Sequence, residues 1–176
     1  MKTIWKSDPM HSEVHFKVKH LMITTITGNF NEFELDVETE GEDFTKATLI
    51  KFSADVESVS TNNEQRDNHL KSDEFFDLAE YPQIVFNGTA LEENGDGHLL
   101  KGNLTIKGTT KPVTMALEFG GVAVDGYGQT KAGFTVTGKI SRKDFGLTWG
   151  AVTEAGQIVV GDDIKISSEI QLIKQP

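Results

Sequence analysis

The stretch TNNEQRDNHLKSDEFFDLAEYPQIVF, Thr61–Phe86, is the long interruption in a chain that otherwise alternates apolar and polar residues. Thr61 and the Asn62–Asn63 pair offer N-caps, and the good helix formers after them predict a short helix from Glu64 to Lys71. Ser72–Asp73 offers a second cap ahead of the aromatic pair Phe75 and Phe76. Tyr81–Pro82 closes the segment, because the residue before a proline is pushed out of helical geometry. A helical insertion near residues 62–78 therefore plugs a chain of strands.

Upstream, Val14, Phe16 and Val18 take one parity and Glu13, His15, Lys17 and Lys19 the other, so a strand with one wet face begins near His11. Thr24 to Gly28 reads as a flexible connection, after which Phe33, Leu35 and Val37 alternate with acids up to the loop Glu40–Asp43. Ile50, Phe52 and Ala54 continue the pattern on the next strand. Downstream, Ile84 and Phe86 open a strand that ends at the hairpin signal Asn94-Gly95-Asp96-Gly97. Leu100, Gly102, Leu104 and Ile106 follow, then Val113, Met115, Leu117 and Phe119, then Ala132, Phe134, Val136, Gly138 and Ile140, and last Ile164 to Leu172. About eight strands at hairpin spacing predict an all-β fold, an antiparallel eight-stranded barrel, because closure removes exposed edges. A two-sheet sandwich is the alternative. At 176 residues, one domain over 1–176 is expected.

The formal charge of −10 argues against a nucleic-acid surface and against steady adsorption on anionic lipid. Without cysteine there is no disulfide or thiol chemistry. Read from Met1, the chain carries neither an apolar run of signal-peptide length nor a membrane-spanning one, so a cytoplasmic location is expected, or a periplasmic one if a leader was removed.

Five histidines are present, yet no metal-binding spacing appears, and neither metal nor cofactor is expected. His11 and His15 fall on the wet parity and His98 beside a hairpin turn; His20 continues the inward parity, as an interior histidine or a ligand contact. Arg66, Asp67 and His69 could form an acid–base set, but no nucleophile elbow or cysteine accompanies them. Charge-assisted hydrogen bonds that tie the helix to the barrel mouth are the simpler role for Arg66 and Asp67. Arg142, Lys143 and Asp144 read as a turn with Phe145 and Trp149 as wedges. GYGQTKAG from Gly126 lacks the spacing and the following helix of a phosphate loop and reads as a hairpin bend.

The insertion also carries the pattern RDxHLxSxxFFDxxxYPxIxF, and three further blocks keep its order: HSxVxFxVKHLM at His11–Met22, GNLTIKGTTKPVT at Gly102–Thr114 and RKDFGLTW at Arg142–Trp149. Together they resemble the YceI-like family, the polyisoprenoid-binding, lipocalin-like proteins, over nearly the whole chain. The resemblance implies a non-enzymatic protein that encloses a polyisoprenoid or another long-chain amphiphile, for transport or storage, and a possible homodimer. Composition leaves open whether the barrel is hollow. Its inward set mixes Phe16, Phe30, Phe52, Phe86, Met115 and Phe134 with Ala54, Gly88, Gly102 and Gly138, which suits either a channel or tapered packing. Val18, His20, Ile50 and Leu104 share the inward parity, Phe75 and Phe76 lie under the plug, and Phe145 and Trp149 complete the expected ligand-binding set. Arg66, His69 and Arg142 are the head-group candidates at the mouth. The competing readings are an enzyme acting on a lipid through His69 or His20, and a solid-cored partner-binding module.

Overall fold

The computed structural model describes residues 1–150 and 159–176. Eleven strand segments and one α-helix follow in the order β1 Lys2–Ser7, β2 Glu13–His20, β3 Thr24–Phe30, β4 Phe33–Glu40, β5 Asp43–Asp55, β6 Val59–Ser60, α1 Glu64–Lys71, β7 Gln83–Asn94, β8 Gly97–Ile106, β9 Thr109–Val124, β10 Thr130–Ser141 and β11 Val160–Lys174. No helix among the described residues is long and apolar enough to cross a membrane.

All eleven segments form a single antiparallel sheet that closes on itself, and three of its positions are bent strands in two pieces. β1 and β2 both lie against β11, Trp5 opposite Lys174 and Phe16 opposite Ile166. β4 and β3 follow them on the other side, Trp5 opposite Val37 and Phe16 opposite Gly28. β5 and β6 make the third position, and β7 to β10 complete the round to β11. Counted this way, the molecule is a closed eight-stranded up-and-down barrel.

Two segments differ from the reading of the sequence. β1 lies ahead of the first expected strand, and its Trp5 is completely buried, with its indole N–H donating to Thr39 Oγ1 at 3.0 Å. Thr24 to Gly28 is strand rather than flexible connection, since threonine suits a pleated, half-wet surface and the β2 ladder holds it in register. The helix runs from Glu64 to Lys71 as expected, with Asn63 as its cap, its Oδ1 accepting from the Arg66 N–H at 2.9 Å.

The break between β1 and β2 is a built feature. The Asp8 N–H donates to the Gln171 carbonyl at 2.8 Å and the Gln171 N–H to Ser12 Oγ at 3.1 Å, so one residue of β11 bridges the extra loop. Asp8 itself is buried, and its carboxylate accepts from the Lys131 ammonium at 2.8 Å, from His11 Nδ1 at 2.8 Å and from the Met10 N–H at 3.0 Å. Burial pushes this carboxyl up, but the bonds from Lys131, His11 and Met10 outweigh it and hold it at about 2, below the ordinary 3.8. A depressed carboxyl stabilises the fold above its unfolded value, and that contribution disappears as pH falls through the folded one. Asp8→Asn should therefore cost about 2 kcal/mol at neutral pH, and in urea titrations its difference from the native chain should shrink between pH 3.8 and about 2. A difference independent of pH would place the stabilisation elsewhere.

Candidate functional site

The barrel encloses a cavity of about 410 Å³, within the range of about 300–1,000 Å³ that holds small molecules. It is open because of how large side chains are stowed. Phe16 lies over Gly28, Ile50 over Gly88, Phe86 over Gly102 and Met115 over Gly138, so that a Cβ at any of these glycines would overlap the neighbouring side chain. Each glycine is a recess in the wall of a neighbouring strand. A bulky group that lies back into it covers backbone without reaching the barrel axis.

One end is closed by aromatic rings. Phe44 packs on Trp5 at 4.9 Å, on Phe134 at 4.8 Å and on Phe119 at 5.8 Å between centroids. Phe44 was not anticipated, because β4 and β5 slip register between Glu38 and Glu40 and the period-two alternation breaks there.

The other end lies under the helix. Asp67 accepts from both the N–H and the hydroxyl of Thr61, at 2.8 and 2.6 Å, while Arg66 donates to the Thr61 hydroxyl at 2.7 Å and its carbonyl at 2.6 Å. These bonds fasten α1 to the end of the bent β5–β6 strand, where Thr61 and Arg66 both border the cavity. His69 stands edge-on between Phe75 at 5.0 Å and Trp149 at 4.9 Å, and its Nε2 meets the Glu74 carboxylate. Phe76 continues inward to Phe30 at 5.9 Å and Phe30 to Phe16 at 5.6 Å, an aromatic column from the mouth into the lumen.

Of the residues expected in the ligand-binding set, Phe16, Val18, His20, Phe30, Ile50 and Phe52 border the cavity. So do Phe75, Phe76, Phe86, Leu104, Met115, Phe134 and Trp149. Phe145 does not. It sits in the 3₁₀ turn Arg142–Phe145, fully buried, beside a shallow depression formed with Lys111, Pro112 and Val113. The turn takes it off the strand, so strand parity does not apply to it.

The three head-group candidates also border the cavity but differ in what they can offer. Arg142 is 3% exposed and donates to the carbonyls of Gly161 at 2.9 Å, Leu147 at 2.7 Å and Trp149 at 2.6 Å. Burial draws its guanidinium below the ordinary value, with Asp162 opposing. It is a brace that holds Trp149 and the start of β11 together. Arg66 has Nε and Nη2 engaged by Thr61, and His69 is held by Glu74 and its two rings. His15, expected in solvent, has Nε2 on Glu13 at 2.9 Å but a buried Nδ1 without a partner among the described residues. Among the described residues no group of three or more His, Cys, Asp or Glu side chains is placed to hold a metal.

Residues 5–172 match the model of the YceI-like domain. A UPF0312 protein of Staphylococcus aureus strain N315 is 36% identical over 167 residues, which cover 93% of this chain and 94% of that protein. The crystal structure of a Campylobacter jejuni YCEI protein is 31% identical and superposes with a TM-score of 0.76, over 90% of both chains. A domain from Saccharophagus degradans, described as polyisoprenoid-binding and implicated in plant cell wall breakdown, shares the fold at TM-score 0.67 and 14% identity, over 97% of this chain and 98% of that one. With motif, topology and sequence in agreement over almost its full length, the chain belongs to the YceI-like domain family.

Proposed function

We propose that this protein is a carrier that encloses one long-chain apolar molecule, of isoprenoid or fatty-acyl type, in the barrel lumen. The cavity carries the reading. Its wall is almost wholly apolar, running from Trp149 and His69 at the mouth to Phe134 at the closed end, and Thr61, Arg66, His69 and Arg142 put most of its polar groups at the mouth. Such a shape suits a ligand with a long hydrocarbon body and one polar end. Each methylene that leaves water contributes about 0.8 kcal/mol, so affinity arises with few directed bonds. The polyisoprenoid-binding description of the Saccharophagus degradans domain supports the same ligand class, on a shared fold.

Binding without turnover is the simpler chemistry for this site. His69 is turned against Glu74 and two rings, and His20 stands on the wall among apolar neighbours. A solid-cored module is disfavoured by the cavity itself.

Gently purified protein is expected to show one bound lipid in native mass spectrometry, and the stripped protein to take up a conjugated-polyene fatty acid with one-to-one stoichiometry. Absence of both would end the carrier reading.

Gly28→Val should swing the Phe16 ring off its recess into the lumen and weaken probe binding at least about tenfold, with a fold cost of about 1–3 kcal/mol. Phe145→Leu, at a side chain outside the cavity, should leave probe affinity unchanged. The two variants are compared by fluorescence titration, with circular dichroism as the check on folding. Equal binding by both would show that the wall recesses do not set the lumen.

A further inference from the structure

Outside the lumen, the rim beside the mouth combines features that the carrier reading does not use. The β2–β3 turn presents Met22 at 57% and Ile23 at 73% exposure, directly after His20, which borders the cavity. On the outer wall next to this turn, Lys17 faces Lys165 across one ladder and Lys165 faces Lys139 across the next. Lys19 continues the row toward the mouth and itself borders the cavity. Among the described residues Lys139 has Asp163 at 3.6 Å, whereas Lys17, Lys19 and Lys165 have no carboxylate partner.

This arrangement is opposed by the stability of the sheet, in which like charges directly opposite one another repel. Most lysines elsewhere in the molecule are paired. Lys2 pairs with Glu38, Lys6 with Asp36, Lys101 with Glu92 and Lys174 with Glu42, in a chain of net charge −10. Three neighbouring lysines without a carboxylate partner among the described residues are open to an external anion.

We propose that the Met22–Ile23 turn and the Lys17–Lys19–Lys165–Lys139 row form a docking surface for an anionic phospholipid bilayer, through which the barrel loads and unloads its cargo. The proposal rests on the carrier reading for its purpose, not for its geometry. Apolar side chains of an interfacial element enter about 5–10 Å below the head groups, and Met22 and Ile23 are placed to do so. Lys17 lies three residues back from His20, roughly 10 Å along the strand, which puts its ammonium at phosphate level when the turn is inserted. Cargo insoluble in water then passes from acyl chains to lumen without crossing solvent. Acidic side chains stand close by, Glu74 against His69 and Asp163 at 3.6 Å from Lys139. At physiological salt the field of each charge decays within about 8 Å, so a surface at the rim meets the local lysine row more than the net charge of the chain.

The test is co-sedimentation with extruded vesicles of phosphatidylcholine alone and of phosphatidylcholine with 30% phosphatidylglycerol. Binding is expected to the anionic vesicles at low salt, to fall steeply at high salt, and to be weak on phosphatidylcholine. Lys17→Ala with Lys165→Ala should lower partitioning roughly 25-fold, about fivefold for each lysine at the surface. Met22→Ser with Ile23→Ser should lower it further, while both double variants bind the polyene probe in vesicle-free solution as the native chain does. Native protein that ignores anionic vesicles, or a lysine variant that partitions undiminished, overturns the docking surface. Loss of probe uptake with vesicle binding intact would instead overturn the carrier reading and leave the docking surface standing.

Discussion

The fit of a large side chain into the recess left by a glycine on the neighbouring strand decides what this molecule can be. Eight strands make a barrel just wide enough for its own side chains to fill. Had Phe16, Ile50, Phe86 and Met115 pointed at the axis, the lumen would have closed. Each instead lies along the wall, over Gly28, Gly88, Gly102 and Gly138 respectively. The same contacts supply the packing that a sheet with interior glycines would otherwise lack, because glycine in a strand contributes no side chain. Cavity and stability are thus two results of one cross-strand fit.

The two ends of the barrel are finished by different means, and this gives the cavity a direction. At the far end the break at Asp8–Ser12 lets β1 turn inward and deliver Trp5 beneath Phe44 and Phe134. Nonpolar rings seal that end without hydrogen bonds of their own beyond the indole donor. At the near end the closure is polar at its margins, where Thr61 holds both Arg66 and Asp67 and Arg142 holds the strand-to-loop corner at Leu147 and Trp149. Thr61 and Arg142 are themselves buried, so breaking these hydrogen bonds would leave polar groups unsatisfied, and the near end is fastened as well as capped.

Much of this was legible in the sequence, for identifiable reasons. Period-two alternation marks Val14, Phe16, Val18 and His20 as one face, and the helix between Asn63 and Lys71 announces itself through its cap. Hairpin signals such as Asn94–Gly97 set the register of β7 and β8. The misses fall where strand periodicity is interrupted. Lys2–Ser7 is short and stands before Pro9, Phe44 follows a register slip, and Phe145 belongs to a 3₁₀ turn. Whether the lumen is hollow was not readable at all, since the same mixture of phenylalanine and glycine fits a filled barrel. Its answer lies in register to the single residue, which puts Gly28, and not a larger neighbour, opposite Phe16.

In the proposed carrier, a lumen closed at one end would exchange its contents through the other, so the surroundings of the mouth, and not the net charge of the chain, would govern what the protein meets during exchange. Those surroundings are lopsided. After the helix, Asp73, Glu74, Asp77 and Glu80 accumulate negative charge, while the outer wall of β2, β10 and β11 carries Lys17, Lys139 and Lys165 beside Met22 and Ile23. Because the field of each side dies away within about a Debye length, a flat anionic surface would favour an approach with the lysine side down. His69 and Trp149, packed on each other at the mouth, would then lie near that contact, since Arg142 ties Trp149 to Gly161 at the start of β11.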